Sequence, residues 1–247
     1  MATSSMDVQS PPTAPPRRIA PLWHTIVLIL VLGAFSYLGA KSGHPVARAG
    51  LVPQYVSMMI VEWLAFGYVL WGIHKGGVLT VRQMIGGRWE KVEDFLLEIG
   101  IAAAFWIVSL LVLGGCAYVL GMTKGGAQNL DEAKKILGFL VPRTNLEIVL
   151  WICVALTAGF CEEFIFRGYI QRQFAAISRS VFVGMAVSSI VFGLAHGYEG
   201  GKRMLLIFVY GFLFSSLAEL RKSLRPGMMA HAWHDAFTGL VMRVLFK

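Results

Sequence analysis

Long apolar runs separated by short polar segments dominate the chain. Seven of these runs are apolar over about 16 to 26 residues, enough for a helix to cross roughly 30 Å of hydrocarbon. The predicted spans are residues 22–38, 55–73, 95–120, 146–166, 181–196, 204–220 and 228–246. The pattern therefore predicts an all-α fold, a polytopic transmembrane helical bundle.

One further segment, residues 131–141, is amphipathic and shorter than the predicted spans. Its charged residues come first and its apolar residues last: Asp131, Glu132, Lys134 and Lys135, then Ile136, Leu137, Phe139 and Leu140. Such a segment is typical of a helix that lies at the membrane interface or re-enters the bilayer. The predicted count is therefore about seven to eight spans.

The chain divides into three predicted regions. Residues 1–19 carry four prolines among Ser and Thr, a composition that predicts a disordered N-terminal tail. Residues 20–145 hold the first three spans and the amphipathic segment. Residues 146–247 hold the remaining spans, which carry the polar side chains discussed below.

The composition supports a membrane protein. With 56% hydrophobic and only 15% charged residues, the chain lacks the charge to cover a water-soluble domain. The net charge of +8 does not indicate nucleic acid, because the basic residues lie mainly between the apolar runs, where they meet lipid headgroups. We therefore predict an integral membrane protein whose partner is the lipid bilayer. The cysteines have no CxxC spacing and predict neither a disulfide framework nor a thiolate zinc site.

A set of ionisable side chains inside the predicted spans falls within one third of the chain. Each costs about 2.5 to 3.5 kcal/mol at the centre of a helix in the bilayer, so each needs a partner or a task. They are Glu162, Glu163, Arg167, His196, His231, His234 and Asp235. A buried salt bridge that holds helices together would explain one or two of them, whereas the whole set favours acid–base chemistry. We interpret Glu62, alone on the second span, as such a structural contact, and His234, beside Trp233, as an interfacial histidine.

Helical spacing separates the two adjacent glutamates. Glu163 and Arg167 are four residues apart and can pair, whereas Glu162 points about 100° away. A carboxylate without such a partner, facing a partly desolvated cavity, can serve as a general base. The same four-residue spacing joins two further pairs on single faces: Phe192 with His196, and His231 with Asp235.

Three short motifs resemble those of a known family. Residues 162–167 (EEFIFR), 192–196 (FGLAH) and 231–235 (HAWHD) are similar to the EExxxR, FxxxH and HxxxN/D motifs of the CPBP family. This family contains CAAX prenyl endopeptidases of the Rce1 type, the Abi family and bacteriocin-processing proteins. One motif alone is weak, but the three in order on successive spans are specific. The resemblance covers roughly residues 146–246.

The resemblance implies an Rce1-like catalytic core in the C-terminal half and an intramembrane endopeptidase activity. Its substrate would be a membrane-associated peptide, prenylated in one branch of the family. Glu162 and His196 would activate a water molecule, and His231 and Asp235 would stabilise the oxyanion. The implied supporting residues are Glu163, Arg167 and Phe192.

Asp235 departs from the best-studied members, which have asparagine at this position. An ionised aspartate would repel an oxyanion, so Asp235 is either protonated or orients His231. We expect the second, in which the carboxylate one turn away fixes the tautomer of His231.

Three alternatives to a metal-free endopeptidase stay open. Glu162, His196 and His231 have the ligand types of a catalytic zinc, although no HExxH motif is present, and we favour a mechanism without a cofactor. A membrane scaffold or bacteriocin-immunity protein would bind a peptide without cutting it. A transporter is disfavoured because the ionisable residues gather toward one side of the bundle. The short loops favour a bacterial inner-membrane protein.

Overall fold

The computed structural model describes residues 18–42, 50–77, 79–123 and 127–246. Within these ranges the chain forms helices and one isolated bridge, between Gly86 and Ser223, and no strand. The predicted all-α fold is confirmed. Of the predicted tail, residues 1–17 lie outside the described part of the chain.

Ten α-helices are described, and their bounds follow the apolar runs closely. They are α1 Leu22–Ser42, α2 Val52–Gly76, α3 Val81–Ile85, α4 Val92–Val119, α5 Ala127–Leu137, α6 Asn145–Glu162, α7 Gln171–Ser178, α8 Val181–Ala195, α9 Gly201–Arg221 and α10 Arg225–Leu245. A π-helical segment, Glu163–Ile170, joins α6 to α7. Short 3₁₀ turns, Gly138–Leu140 and Gly197–Glu199, follow α5 and α8.

Five helical stretches in the described residues are long and apolar enough to cross a membrane: residues 22–41, 52–76, 92–119, 145–178 and 201–221. The two other predicted spans are α8 and α10. At 1.5 Å per residue α8 is about 22 Å long, shorter than the roughly 30 Å hydrocarbon core. Helix α10 is long enough, but its histidines and aspartate make it less apolar. The structure thus supports a helical membrane bundle.

The span predicted for residues 146–166 is longer in the structure. Helix α6, the π-helical segment and α7 form one continuous stretch from Asn145 to Ser178. The predicted end was wrong because Arg167 is buried and paired, so its charge does not end the helix. Half of the most apolar part of this stretch is buried, against 28% or less in the other four stretches. It is therefore the central helix of the bundle.

The outer faces of the bundle are apolar. Leu30 on α1, Leu64 on α2 and Leu111 on α4 all point outward and are exposed. In water such a surface would be unfavourable, whereas lipid tails solvate it without cost. The bilayer is therefore the environment that this surface fits.

A close crossing brings α6 and α10 together. A Cβ atom added at Gly159 would lie 2.7 Å from the carbonyl oxygen of Met228 and 2.8 Å from the backbone nitrogen of Ala232. These are backbone atoms of a neighbouring helix, which cannot move aside as a flexible side chain can. Glu163 follows Gly159 by one turn along the central helix, and His231 lies on α10 between Met228 and Ala232, close to the crossing. Gly159 thus helps to set the distance between these two side chains.

A buried carboxylate clamps the beginning of α6 to the beginning of α2. Glu147 accepts hydrogen bonds from the backbone N–H groups of Leu51 at 2.9 Å, Arg143 at 2.8 Å and Thr144 at 2.9 Å. The Thr144 hydroxyl accepts in return from the Glu147 backbone N–H, which completes a capping box. The clamp holds the wall of α2 against the central helix.

Replacing Glu147 with alanine removes the acceptor of three backbone N–H groups. We expect the free energy of unfolding to fall by about 2 to 4 kcal/mol, measured as a lower Tm of the purified protein in detergent. Glu93→Ala, at an exposed position in the first turn of α4, is the control and should change Tm little. Equal Tm values for the two variants would contradict the stabilising role of the three Glu147 hydrogen bonds.

Candidate active site

A buried chain of acid and base groups lies where the central helix meets α10. Arg167 Nη1 donates to Glu163 Oε1 at 2.9 Å, and His231 Nδ1 lies 2.9 Å from the same oxygen. All three side chains are 5% exposed or less. The predicted pairing of Glu163 with Arg167 is confirmed, and the structure adds His231 to the pair.

Aromatic rings and a backbone carbonyl hold the Arg167 guanidinium. Nη2 donates to the carbonyl oxygen of Gly211 at 3.1 Å. The guanidinium lies 4.4 Å from the ring centre of Phe192 and 5.1 Å from that of Phe214. Such cation–π contacts stabilise a desolvated cation. Phe192, predicted as a supporting residue, therefore contacts the buried charge directly.

The π-helical segment begins immediately after Glu162. Its hydrogen bonds run from residue i to i+5, so its turn is wider than an α-helical turn. Such turns are rare in proteins and occur frequently at functional sites. All eight residues from Glu163 to Ile170 are buried, so packing on every side maintains the unusual backbone.

Glu162 faces away from the ion pair and lines a cavity of about 610 Å³. This volume is typical of a small-molecule or peptide site. The polar residues that line it include Glu62, Glu162, His196, Tyr198, His231, His234 and Asp235. The structure therefore brings the predicted residues Glu162, His196, His231 and Asp235 to one cavity.

Glu162 and His196 each present an unpaired acceptor to this cavity. In the described part of the chain, Glu162 Oε2 has no hydrogen-bond partner, and His231 Nε2 lies 3.6 Å away, too far for a hydrogen bond. His196 follows the last residue of α8, with Nδ1 2.9 Å from the carbonyl oxygen of Phe192. Because a carbonyl only accepts, Nδ1 carries the hydrogen, and a neutral ring keeps its lone pair on Nε2.

Asp235 does not fix the tautomer of His231, contrary to our expectation. Glu163 takes the Nδ1 hydrogen, while Asp235 Oδ2 lies 3.6 Å from Nε2, on the other side of the ring. The reason is the position of the ion pair, which occupies the inner side of α10 and leaves Asp235 on the cavity side. The backbone carbonyl of Asp235 accepts from the Trp151 indole at 2.9 Å, which ties α10 to α6.

Three further residues line the cavity that the sequence did not assign to the site. Glu62 lines the same cavity as Glu162 instead of making a separate structural contact. His234 lines the cavity instead of the interface, and its Nδ1 is buried without a hydrogen-bond partner among the described residues. Tyr198 also lines the cavity, and burial raises the pKa of its phenol well above its ordinary value. The charge of Glu62 within an apolar span could have indicated a site residue. Tyr198 gave no such indication, because aromatic residues near the ends of spans are common.

The alternative zinc ligands Glu162, His196 and His231 share the cavity. Among the residues that the structure describes, no three His, Cys, Asp or Glu side chains are placed to hold one ion. His231 Nδ1 is bound to Glu163, which leaves Nε2 as the ring nitrogen nearest Glu162.

Fold and site together define a helical membrane protein with acid and imidazole groups around an internal cavity. Residues 144–237 match the family model described as type II CAAX prenyl endopeptidase Rce1-like. The matched segment contains all three motifs, so the predicted resemblance is confirmed, and it supports a protease. Comparisons of the chain with curated proteins and with solved structures give no match.

The family match covers about two fifths of the chain. It begins at the cap of α6 and ends within α10. Helices α1 and α2 lie outside it, yet both contribute residues to the cavity wall. The cavity is therefore built partly by chain that the family model does not describe.

Replacing Arg167 with methionine leaves the buried Glu163 carboxylate without its cation. We expect a loss of about 3 to 5 kcal/mol in the free energy of unfolding, measured by thermal unfolding in detergent. Adding Glu163→Gln should restore part of the loss, because no unpaired charge remains. Arg88→Met, at an exposed position, is the control. If the double variant is no more stable than Arg167→Met, the loss does not come from the unpaired Glu163 carboxylate.

Proposed function

We propose that the protein is an intramembrane endopeptidase that hydrolyses a peptide bond of a membrane-associated substrate. The observation that carries the proposal is the shared cavity of Glu162, His196 and His231 inside the helical bundle. The match of residues 144–237 to a protease family supports it.

In the first step, a water molecule binds between the Glu162 carboxylate and His196 Nε2. Glu162 takes a proton from this water, and the oxygen attacks the carbonyl carbon of the substrate. His196 orients the water through its lone pair, since its Nδ1 hydrogen is held by the Phe192 carbonyl. General-base catalysis of this kind contributes about 10² to 10⁴ in rate.

In the second step, His231 stabilises the oxyanion. With Nδ1 held by Glu163, a protonated ring presents an N–H at Nε2 toward the cavity. Arg167 balances the charge of Glu163, so the imidazole is positioned without adding net negative charge. The C–N bond then breaks, and the proton held by Glu162 passes to the leaving amine.

Asp235 acts on His231 through its charge. Its Oδ2 lies 3.6 Å from Nε2, beyond hydrogen-bond range but within strong Coulomb range in a low-dielectric cavity. Although a carboxylate repels an oxyanion, one at this distance also stabilises the positive imidazole ring that donates to the oxyanion. Asp235 thus acts on the ring from the cavity side, while Glu163 holds it from the inner side.

The cavity wall suits an apolar peptide or a lipid-modified one. Its apolar side chains include Leu32, Met58, Val154, Phe192, Ile207 and Met242, which come from six different helices. Methionine is flexible and adapts to irregular apolar groups. A prenylated peptide, the substrate class in the name of the matched family, is the substrate that we propose to test first.

The direct test is cleavage by the purified protein in detergent. The probe is a fluorescence-quenched peptide whose S-farnesylated cysteine is the fourth residue from the carboxyl end. We expect Glu162→Ala and His196→Ala each to lower kcat by about 10² to 10⁴ with little change in Tm. Glu93→Ala, far from the cavity lining, should cleave like the wild type.

The same assay separates the alternatives. Loss of cleavage with a chelator and recovery with added zinc would favour a zinc-dependent protease over the metal-free mechanism. A Glu162→Ala variant as active as the wild type would refute the proposed general base. A wild type that binds the probe without cutting it would indicate a non-proteolytic scaffold.

A further inference from the structure

Glu62 lies on the face of α2 that packs against the central helix. The ring of Tyr55 is 5.6 Å from that of Trp151, and the ring of Phe66 is 4.9 Å from that of Phe164. Glu62 precedes Phe66 by four residues, so both share one helix face. Its side chain consequently points toward the segment of the central helix that contains the first motif.

The packing of α2 against the central helix brings Glu62 to the same part of the molecule as Glu162. Both residues line the same cavity, one from α2 and the other from the end of α6. Two carboxyl groups can form a hydrogen bond to each other only when one of them carries a proton, because two negative charges would repel each other. The shared cavity therefore places Glu62 where its carboxyl group, when protonated, can donate to Glu162.

A purely structural role explains this position poorly. A leucine would fill the interface of α2 and α6 without the cost of about 2.5 to 3.5 kcal/mol for an acidic side chain in a span. Structural glutamates in this bundle have dedicated donors, as Glu147 has three backbone N–H groups. Within the described ranges, Glu62 has no salt bridge to a basic side chain.

We propose that Glu62 is a positioning residue that donates a hydrogen bond to Glu162. This bond fixes the Glu162 carboxylate so that its free oxygen, Oε2, faces the water to be activated. The inference rests on the proposed function, because it assigns a task within the same site. Glu62 lies outside residues 144–237, so the family match assigns it no role.

The test compares Glu62→Gln with Glu62→Met in the farnesylated-peptide assay. Glutamine keeps an N–H donor of similar length, so kcat should stay within about threefold of the wild type. Methionine has a similar length but no donor, so kcat should fall about 10- to 100-fold, as for other supporting partners of catalytic groups. KM should change little in both, because the substrate does not contact Glu62 in this role.

A matched control separates positioning from stability. Glu98 on α4 is a buried glutamate, 6% exposed, and it accepts hydrogen bonds from Trp89 and Ser223 away from the cavity. Glu98→Met should lower Tm without lowering kcat per folded molecule. Glu62→Met should instead lower kcat at a Tm closer to that of the wild type.

The outcomes discriminate clearly. If Glu62→Met cleaves as fast as the wild type, or if Glu62→Gln is as slow as Glu62→Met, the proposed hydrogen bond is wrong. If Glu62→Met does not fold, Glu62→Gln against Glu62→Ala repeats the comparison. If the wild type itself does not cleave, the proposed endopeptidase function fails. Cleavage that needs Glu162 but not Glu62 overturns only this inference.

Discussion

The ion pair of Glu163 and Arg167 is the constraint on which the site depends. Both groups are removed from water, and their attraction is supported by a hydrogen bond from Nη2 to the Gly211 carbonyl and by aromatic rings around the guanidinium. The pair can exist only where the central helix, α9 and α10 meet, since each supplies part of its surroundings. Once formed, it places His231 at a fixed distance from the same oxygen.

Two glutamates that are adjacent in sequence have opposite environments. Glu163 Oε1 accepts hydrogen bonds from Arg167 and His231, whereas Glu162 Oε2 lacks a hydrogen-bond partner among the described residues. Chemically identical groups thus have different surroundings, one tied into a buried network and the other lining the cavity. The close packing at Gly159 supports this division, because it keeps α10 against the inner side of the helix.

The sequence predicted what depends on local periodicity. The apolar runs gave most helix bounds within a few residues, and four-residue spacing gave the pair of Glu163 with Arg167. The bond from His231 to Glu163 joins residues 68 positions apart, and no local pattern encodes it. Glu62 and His234 were misplaced for the same reason, since only the packing of α2 and α10 shows what they face. The three-region division, the bacterial inner membrane and the roles of the site residues stay predictions.

In the π-helical segment, the number of residues between Glu163 and Arg167 is constrained more strongly than the identity of those residues. Phe164, Ile165 and Phe166 fill space, so apolar side chains of similar volume could replace them with modest repacking. Deleting one of them would instead rotate everything beyond it by about 100° about the helix axis. The guanidinium would then leave its aromatic enclosure, and the rest of the central helix would lose its register with α8 and α9. Insertions and deletions in this stretch should therefore be tolerated far less than exchanges.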